Sequence, residues 1–142
     1  MTTHHAGGSN ASELLQELGA AVRGLVYSSE SDRPFDVFLL AGAAAAGPLT
    51  PQGFAEIIGA DSDEVGEETL DRFLSRHIEM VDPLDAAAWE RLPRYDALKR
   101  LLRERLHDVR VFRIGSVQVR CFAVGRDAAG NLAGIETVAI ET

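Results

Sequence analysis

Apolar residues recur along the chain with two different spacings, and these spacings predict its order of helices and strands. Over most of the region up to Leu106 they lie three or four positions apart, as in helices that bury one face. From Val109 onward they alternate with polar residues, as in strands. The predicted order is helix, strand, helices and a three-stranded antiparallel meander. This order is typical of an α+β domain whose helices cover at least one face of a mixed sheet.

Four helices are predicted from apolar spacing and from the residues at their starts. Ser12 can cap the first helix through its hydroxyl. Thr50 is the predicted N-cap of the second helix and is followed by a proline, which favours the first helical position. Thr69 caps a short helix over residues 69–76. The clearest helix covers residues 93–106 and carries a stripe of leucines.

The strands are predicted from alternation and from the turn residues between them. Residues 36–41 are apolar on both faces, which predicts a central strand of the sheet. The meander strands are predicted at residues 109–114, 117–124 and 132–141, with turns at residues 115–116 and 127–131. Polar or irregular loops are predicted at residues 28–35, 61–71 and 82–89.

The last strand is predicted to run almost to the end of the sequence. Val138 and Ile140 should point to one side, and Thr137, Ala139 and Glu141 to the other. An ordered end would hold the carboxylate of Glu141 beside that of the terminal residue at the edge of the fold. Two carboxylates so placed could occupy a metal-binding or phosphate-binding site on another molecule.

Length and composition indicate one soluble domain. With 142 residues the chain can bury a stable hydrophobic core without disulfide bonds or bound metal. We expect residues 1–10 to be a disordered N-terminus and residues 11–142 to be a single domain. No secretory signal is recognisable, and the longest apolar run is too short to span a bilayer, which predicts a cytoplasmic protein. The single cysteine, Cys121, should be a small buried residue, and Trp89 is assigned to the core.

The charge distribution argues against a general nucleic-acid binder. The net charge is −8, whereas such proteins obtain affinity by neutralising phosphates. Basic residues are concentrated between Arg91 and Arg113, and those from Arg91 to Arg105 are most simply the solvated face of a helix. Nucleic-acid binding through the residues from Arg91 to Arg113 is a weaker hypothesis, which the absence of a gel shift at low salt would exclude.

No catalytic constellation is recognisable. The chain has no phosphate-binding glycine loop, nucleophile elbow or pair of cysteines at metal-ligand spacing. None of the four histidines, His4, His5, His77 and His107, has partners at familiar ligand spacing. We therefore predict a non-enzymatic protein with no cofactor, no metal site and no small-molecule substrate.

Two segments at opposite ends of the chain resemble a known family. Residues 29–39, Ser-Glu-Ser-Asp-Arg-Pro-Phe-Asp-Val-Phe-Leu, are similar to a motif near the start of the nuclease A inhibitor-like proteins, a small bacterial family. Residues 129–137 and the final Glu141-Thr142 resemble its C-terminal motif. Shorter matches at residues 73–76 and 111–115 lie between them in the same order. The resemblance covers residues 12–142.

The resemblance implies both a fold and a function. Members of this family have a three-layer α/β/α sandwich with a mixed, largely antiparallel sheet, similar to plant pathogenesis-related proteins. The founding type inhibits a sugar-nonspecific, metal-dependent endonuclease of the ββα-metal class by occupying its active site. Its main contact residues are the glutamate of the Ser-Glu-Ser loop and the terminal threonine. They correspond here to Glu30 and Thr142, with Ser29 and Glu141 as neighbours.

One further position carries over only in part. The family uses an Asp-Trp pair that falls, by ungapped spacing, on Asp82 and Pro83, so the aspartate is kept and the aromatic residue is not. The implied partner is a divalent-metal-dependent endonuclease in a heterodimer, with no nucleic acid and no membrane bound. The implied contact residues are Ser29, Glu30, Asp82, Glu141 and Thr142. The alternative is an interaction or regulatory module of the same fold that has lost the nuclease target.

Overall fold

The computed structural model describes residues 3–45, 49–61, 64–79 and 81–142, with side chains described outside residues 3–10 and 77–79. The helices in these ranges are α1 (Thr3–Val22), α2 (Pro51–Ile57), α3 (Leu70–Glu79) and α4 (Ala86–Arg105), with a 3-10 turn at Ala43–Ala45. The strands are β1 (Val26–Ser28), β2 (Asp32–Pro34), β3 (Asp36–Leu40), β4 (Val65–Glu68), β5 (His107–Ile114), β6 (Gln118–Arg126) and β7 (Leu132–Ile140). The α+β class is therefore confirmed.

Five strands form the main sheet in the order β3-β7-β6-β5-β4, and β1 and β2 form a separate hairpin. All pairs among the described strands are antiparallel, so the prediction of a mixed sheet is wrong. The prediction that residues 36–41 form a central strand is also wrong, because β3 lies at an edge. This strand is apolar on both sides since Val37 and Leu39 pack in one core cluster and Phe38 and Leu40 in the other.

The sheet separates two hydrophobic clusters. The larger cluster joins buried residues of α1, α3 and α4 to one face of the sheet and includes Leu18, Phe73 and Leu98, all fully buried. The smaller cluster joins α2 to the opposite face, where Phe54 packs against Phe112 and Phe122 with ring centroids 5.4 and 5.0 Å apart. Helices therefore contact both faces of the sheet.

The predicted meander is confirmed as β5, β6 and β7. In the turn before β7, the carboxylate of Asp127 accepts the backbone N–H groups of Ala129 and Asn131 at 2.9 and 2.8 Å. The predicted N-caps of α2 and α3 are confirmed as well, because Thr50 accepts the N–H of Gly53 at 3.0 Å and Thr69 caps α3 in the same way. These elements depend on local sequence signals.

An edge strand replaces much of the acidic loop predicted at residues 61–71. Strand β4 pairs with β5, and its carboxylates Glu67 and Glu68 bind Arg110 and Arg113 at 3.2 and 3.1 Å. Glu67 and Glu68 are thus neutralised from the neighbouring strand and do not require a solvated loop. Charged residues on an edge strand also discourage pairing with another chain.

Helix α4 begins earlier than predicted. A proline at position 93 suggests a helix start, but Asp85 caps the helix by accepting the N–H of Ala88 at 3.0 Å, and alanines extend it through the segment predicted as irregular. Trp89 lies in this added part with 49% of its surface exposed, so the assignment of Trp89 to the core is wrong.

Helix α1 begins at Thr3, so Ser12 lies within it and is not its cap. Proline is absent from residues 3–11, and nothing there forces the helix to stop. The division into a disordered segment 1–10 and one domain over residues 11–142 stays a prediction. Among the described residues, no helix is both long and apolar enough to cross a membrane.

Candidate partner-binding site

The hairpin formed by β1 and β2 is fastened to two helices and to the main sheet. The hydroxyl of Tyr27 accepts Arg76 Nη1 from α3 at 2.6 Å. From α4, Tyr95 donates its hydroxyl to the carbonyl of Val26 at 2.7 Å. Thr137 of β7 donates to the carbonyl of Pro34 at 2.9 Å, which satisfies this buried hydroxyl. The hairpin is therefore held in position along its whole length.

The turn between β1 and β2 is bonded to the end of β7. The amide of Ile140 donates to the hydroxyl of Ser29 at 2.9 Å, and the amide of Glu30 donates to the carbonyl of Ile140 at 3.2 Å. Ser29 also donates its hydroxyl to the carbonyl of Ser31 at 3.2 Å, which tightens the turn. Ser29 thus links the turn to the last strand.

Glu30 and Thr142 are in direct contact, although 112 positions separate them in the sequence. One oxygen of the Glu30 carboxylate accepts the backbone N–H of Thr142, and the other accepts its hydroxyl, each at 2.5 Å. Both residues are exposed. The hydroxyl of Thr142 has the larger effect on the pKa of Glu30, and the amide of Thr142 the smaller. Both lower this pKa below its ordinary value, because both donate hydrogen bonds to the ionised carboxylate. We call Ser29, Glu30, Glu141 and Thr142 the C-terminal corner.

Arg113 binds the carboxylate of Glu141 in the C-terminal corner. Its guanidinium binds Glu68 Oε2 at 3.1 Å and also the carboxylate of Glu141, so one cation joins the edge strand β4 to the last residues. The amide of Glu141 donates to the carbonyl of Val117 at 2.9 Å, extending the ladder between β6 and β7. Burial opposes the charged form of Arg113, but its acidic partners outweigh this effect and raise its pKa.

Sequence reasoning missed Arg113 as a member of the site, although a signal was present. Arg113 follows Val109 and Val111 on the face of β5 that packs toward the helices, where an arginine requires an anionic partner. Its neighbour across the sheet is Cys121, which is fully buried as predicted. Burial raises the pKa of the Cys121 thiol to about 11, so the thiol is protonated and unreactive at neutral pH.

Replacing Arg113 with methionine is expected to lower the free energy of unfolding by about 1–3 kcal/mol, because Glu68 would keep a mostly buried carboxylate without its cation. Hydrogen exchange at the amide of Glu141 should become faster. Arg110→Met is the matched control on the same strand, since Arg110 pairs with Glu67 and Asp108 at more exposed positions. Equal exchange at Glu141 in both variants would contradict the proposed role of Arg113 in holding the end.

The contact between Glu30 and Thr142 is expected to be lost in acid. The pKa of Glu30 is lowered by folding, so the contact contributes fully above the ordinary value of 4.5 and is lost as the pH falls through the lowered pKa. The carboxyl carbon of Glu30 should titrate below pH 4.5 in NMR spectra. Thr142→Val removes the hydroxyl and should move this midpoint upward. Identical midpoints in the two proteins would contradict the hydrogen bond.

Asp82 does not belong to the C-terminal corner. Its carboxylate accepts the N–H of Leu84 at 2.9 Å and its carbonyl accepts the N–H of Asp85 at 3.0 Å, so it shapes the turn before α4. Asp82 also lines a groove of about 240 Å³ together with Ser28 and Asp32, the residues that flank the turn carrying Glu30. It therefore lies beside the hairpin, and its predicted role in binding stays a prediction.

The basic stretch from Arg91 to Arg113 is largely occupied by contacts within the chain. Arg94 donates to the carbonyls of Ala21 and Arg23 at 3.2 and 2.6 Å. Further cations of this stretch have carboxylate partners, namely Lys99, Arg100, Arg103, Arg105, Arg110 and Arg113. These contacts make the stretch a weaker site for nucleic-acid phosphates than its sequence suggests.

No metal site is evident where the chain is described, since its histidines, cysteine and carboxylates form no group of three or more suited to a metal ion. The side chains of His4, His5 and His77 lie outside the described residues, and His107 is exposed at the start of β5. Within the C-terminal corner, Glu30, Glu141 and Thr142 offer oxygen ligands and hydrogen-bond acceptors. Such groups suit a cation supplied by another molecule.

The family comparison covers the whole of this site. The family model described as nuclease A inhibitor-like protein matches residues 12–142, a range that includes the hairpin, Arg113 and the C-terminal corner. No curated protein matches the chain significantly. An inhibitor family indicates a protein partner and a non-catalytic role. The chain therefore belongs to the nuclease A inhibitor-like family, and this membership indicates a nuclease inhibitor in general terms.

Proposed function

We propose that this protein inhibits a divalent-metal-dependent, sugar-nonspecific endonuclease by placing Glu30 and Thr142 in its active site. The observation that carries the proposal is the direct contact between these two residues, which forms one exposed anionic unit at the C-terminal corner. The active site of such a nuclease attracts a phosphodiester beside a cation. A fixed carboxylate suits the same electrostatic environment.

The carboxylate of Glu30 keeps binding capacity while it holds Thr142. An ionised carboxylate offers about four lone-pair positions, and Thr142 uses one on each oxygen. The remaining positions can accept an arginine or lysine of the nuclease, or approach its metal ion. Glu141 is engaged by Arg113 on the inner side, so its role in the interface is to hold the adjacent threonine in place.

Three further features belong to this proposal. Helices α1, α3 and α4 on one face and α2 on the other support a three-layer α/β/α sandwich similar to plant pathogenesis-related proteins. The nuclease would be of the ββα-metal class and bound as a heterodimer. The site of action would be the cytoplasm. The protein itself would catalyse no reaction.

The alternative is an interaction or regulatory module that no longer binds a nuclease. It is favoured by Pro83, which is exposed beside Asp82 where the family resemblance implies an aromatic contact residue. In this alternative the C-terminal corner would be retained for a different partner. Recovery of a stable complex with a protein that is not a nuclease, together with unimpaired nuclease activity, would favour it.

The test is DNA cleavage by a ββα-metal nonspecific endonuclease encoded in the same genome, titrated with this protein at constant Mg²⁺. We expect cleavage to stop near one equivalent, and light scattering to give the mass of a one-to-one complex. A metal-dependent nuclease of unrelated fold is the control for removal of Mg²⁺ by the acidic chain. Full cleavage by the first nuclease at tenfold excess would contradict the proposal.

A further inference from the structure

Strands β6 and β7 direct alternate residues to the face of the sheet that carries α2. The residues of these strands that pack in the larger cluster, toward α1, α3 and α4, are Val119, Cys121, Ala123, Ala133, Ile135 and Ala139. Side chains alternate along a strand, so the residues between these six point to the opposite face. Among them, Phe122, Val124 and Leu132 pack with α2 in the smaller cluster. The contacts therefore fix the face that each residue of these strands occupies.

Four residues on the α2 face lie outside the smaller cluster and form a patch near the end of β7. Gln118 pairs with Ile140, and Arg120 with Val138, so they form two rows across the strands. Gln118 and Arg120 are exposed, whereas Val138 and Ile140 are half-buried and belong to neither cluster of the described residues. Helix α2 has seven residues and packs chiefly over β4 and β5, which leaves both rows accessible. We call these four residues the sheet patch.

The sheet patch is continuous with the C-terminal corner through Ile140. The amide of Ile140 donates to the hydroxyl of Ser29, and its carbonyl accepts the amide of Glu30. Ile140 is two residues before Thr142, so their Cα atoms are at most roughly 7 Å apart. The second row begins at Val138, at most roughly 14 Å from Thr142. The patch therefore starts where the corner ends.

The C-terminal corner alone is too small for a stable complex. A standard protein–protein interface buries about 800 Å² on each partner, contributed by roughly 20–30 residues. The corner consists of Ser29, Glu30, Glu141 and Thr142, so a nuclease bound there must also contact neighbouring surface. A standard interface is about 30 Å across, which is wide enough to include the sheet patch.

Arg120 is a cation that is held in place and accessible to a partner. Its guanidinium carbon lies 5.0 Å from the centre of the Phe122 ring, which orients the side chain along the sheet. Its neighbours on the adjacent strands are Ile114 and Val138, both apolar. No carboxylate of the described residues forms an ion pair with Arg120. Its charge acts at longer range on Glu136, where it opposes the increase in pKa that burial causes.

An arginine at this position can distinguish between nucleases. A fixed guanidinium binds a carboxylate through two parallel hydrogen bonds, and arginine is among the residues that contribute most to binding at interfaces. It also repels a basic residue placed opposite, and basic residues are common on proteins that bind nucleic-acid phosphates. A nuclease with an acidic residue at this point is therefore accepted, and one with a basic residue is rejected.

We propose that Arg120 determines which nuclease this protein inhibits, by pairing with a carboxylate on the nuclease surface beside the active site. This inference rests on the proposed function. Val138 and Ile140 contact apolar atoms of the same nuclease surface. Glu30 and Thr142 block the active site, whereas the sheet patch selects the enzyme.

The test compares inhibition constants of Arg120 variants against the nuclease of the cleavage titration. Arg120→Met keeps an aliphatic stem over Phe122 without the charge, and we expect it to weaken inhibition at least about tenfold. Arg120→Lys keeps the charge but cannot form two parallel hydrogen bonds, so it should lie between Arg120→Met and wild type. Arg120→Glu should weaken inhibition about 100-fold or more, because two carboxylates would face each other.

The matched controls are Arg100→Met and Arg100→Glu, which make the same changes of charge. Arg100 is exposed on α4, a helix that packs on the opposite face of the sheet, so both controls should change inhibition little. Melting temperatures of the Arg120 variants should stay close to that of wild type, since Arg120 is exposed. A direct readout is the ¹⁵N chemical shift of Arg120 Nε, which should change when the nuclease binds.

The inference is overturned if wild-type protein inhibits and Glu30→Ala does not, while Arg120→Met and Arg120→Glu inhibit normally and the Nε signal stays unchanged. A dimer of this chain that light scattering detects and Arg120→Glu abolishes would also overturn it, because the sheet patch would then be occupied by a second copy. If wild-type protein fails to inhibit, the proposed function is contradicted and the inference fails with it.

Discussion

Replacing Glu30 with alanine is expected to weaken nuclease inhibition by about 100- to 1000-fold, which corresponds to about 3–4 kcal/mol of binding free energy. The substitution removes the charge proposed to face the nuclease cation. It also removes both acceptors of Thr142, so the last residue would lose its fixed position. The measurement is the inhibition constant from DNA cleavage at constant ionic strength, because part of the effect is electrostatic.

Two variants separate the local effect from the general effect of charge. Glu56→Ala removes the same charge from an exposed position of α2. This helix packs on the face of the sheet opposite to α1, α3 and α4, so the variant should change inhibition little. Glu30→Gln keeps one acceptor oxygen without the charge and should lie between wild type and Glu30→Ala. Melting temperatures should agree closely, since Glu30 is exposed. Equal inhibition by Glu30→Ala and wild type would exclude Glu30 from the interface.

Adding three residues, Gly-Ser-Gly, after Thr142 is expected to abolish inhibition or to weaken it by at least about 100-fold. Thr142 is bound to Glu30 through its amide and hydroxyl, so an extension would project from the corner that is proposed to enter the active site. Accommodating extra backbone in the centre of a closely packed interface costs binding free energy. The measurement is the same cleavage titration, with folding checked by circular dichroism.

The control for the extension is the same tripeptide placed before Met1, which should leave inhibition unchanged. Removing Thr142 altogether is a complementary variant, because it leaves Glu30 without its partner but adds no bulk. We expect this deletion to weaken inhibition with little change in stability, since Thr142 is exposed. Full inhibition by the extended protein would show that the C-terminal corner stays outside the active site.

Local signals allowed much of the fold to be predicted from the sequence. The meander followed from alternation and from the turn residues at 115–116 and 127–131, which act within a few positions of each other. The start of α2 followed from Thr50, whose hydroxyl caps the first turn. These features depend on neighbours along the chain, so no knowledge of the tertiary structure was needed.

The errors concern features that depend on distant partners. Strand β3 was predicted to be central, because a sequence cannot distinguish a strand paired on both sides from an edge strand covered by helices. The acidic residues of strand β4 predict a loop. The arginines that neutralise its glutamates lie more than forty positions away, so local sequence does not reveal the strand. Trp89 was assigned to the core because size and apolar character usually indicate burial.

For the candidate site, family resemblance identified residues that local pattern alone did not. Glu30 lies in a serine-rich turn, which by itself is typical of a solvated loop. The contact with Thr142 depends on the pairing of the hairpin with β7 through Ser29 and Ile140, an arrangement that no local signal encodes. The resemblance suggested both residues, and the geometry adds that they touch.

The contact between Glu30 and Thr142 has a consequence for the kinetics of binding. A chain end that moves freely must be ordered when it binds, with an entropic penalty of roughly 1–2 kcal/mol for each residue. Here Glu30, Ser29 and Arg113 order the end before any encounter. We therefore expect association with the proposed nuclease to be limited by diffusion and orientation, and the complex to dissociate more slowly than one formed by a mobile end with the same contacts.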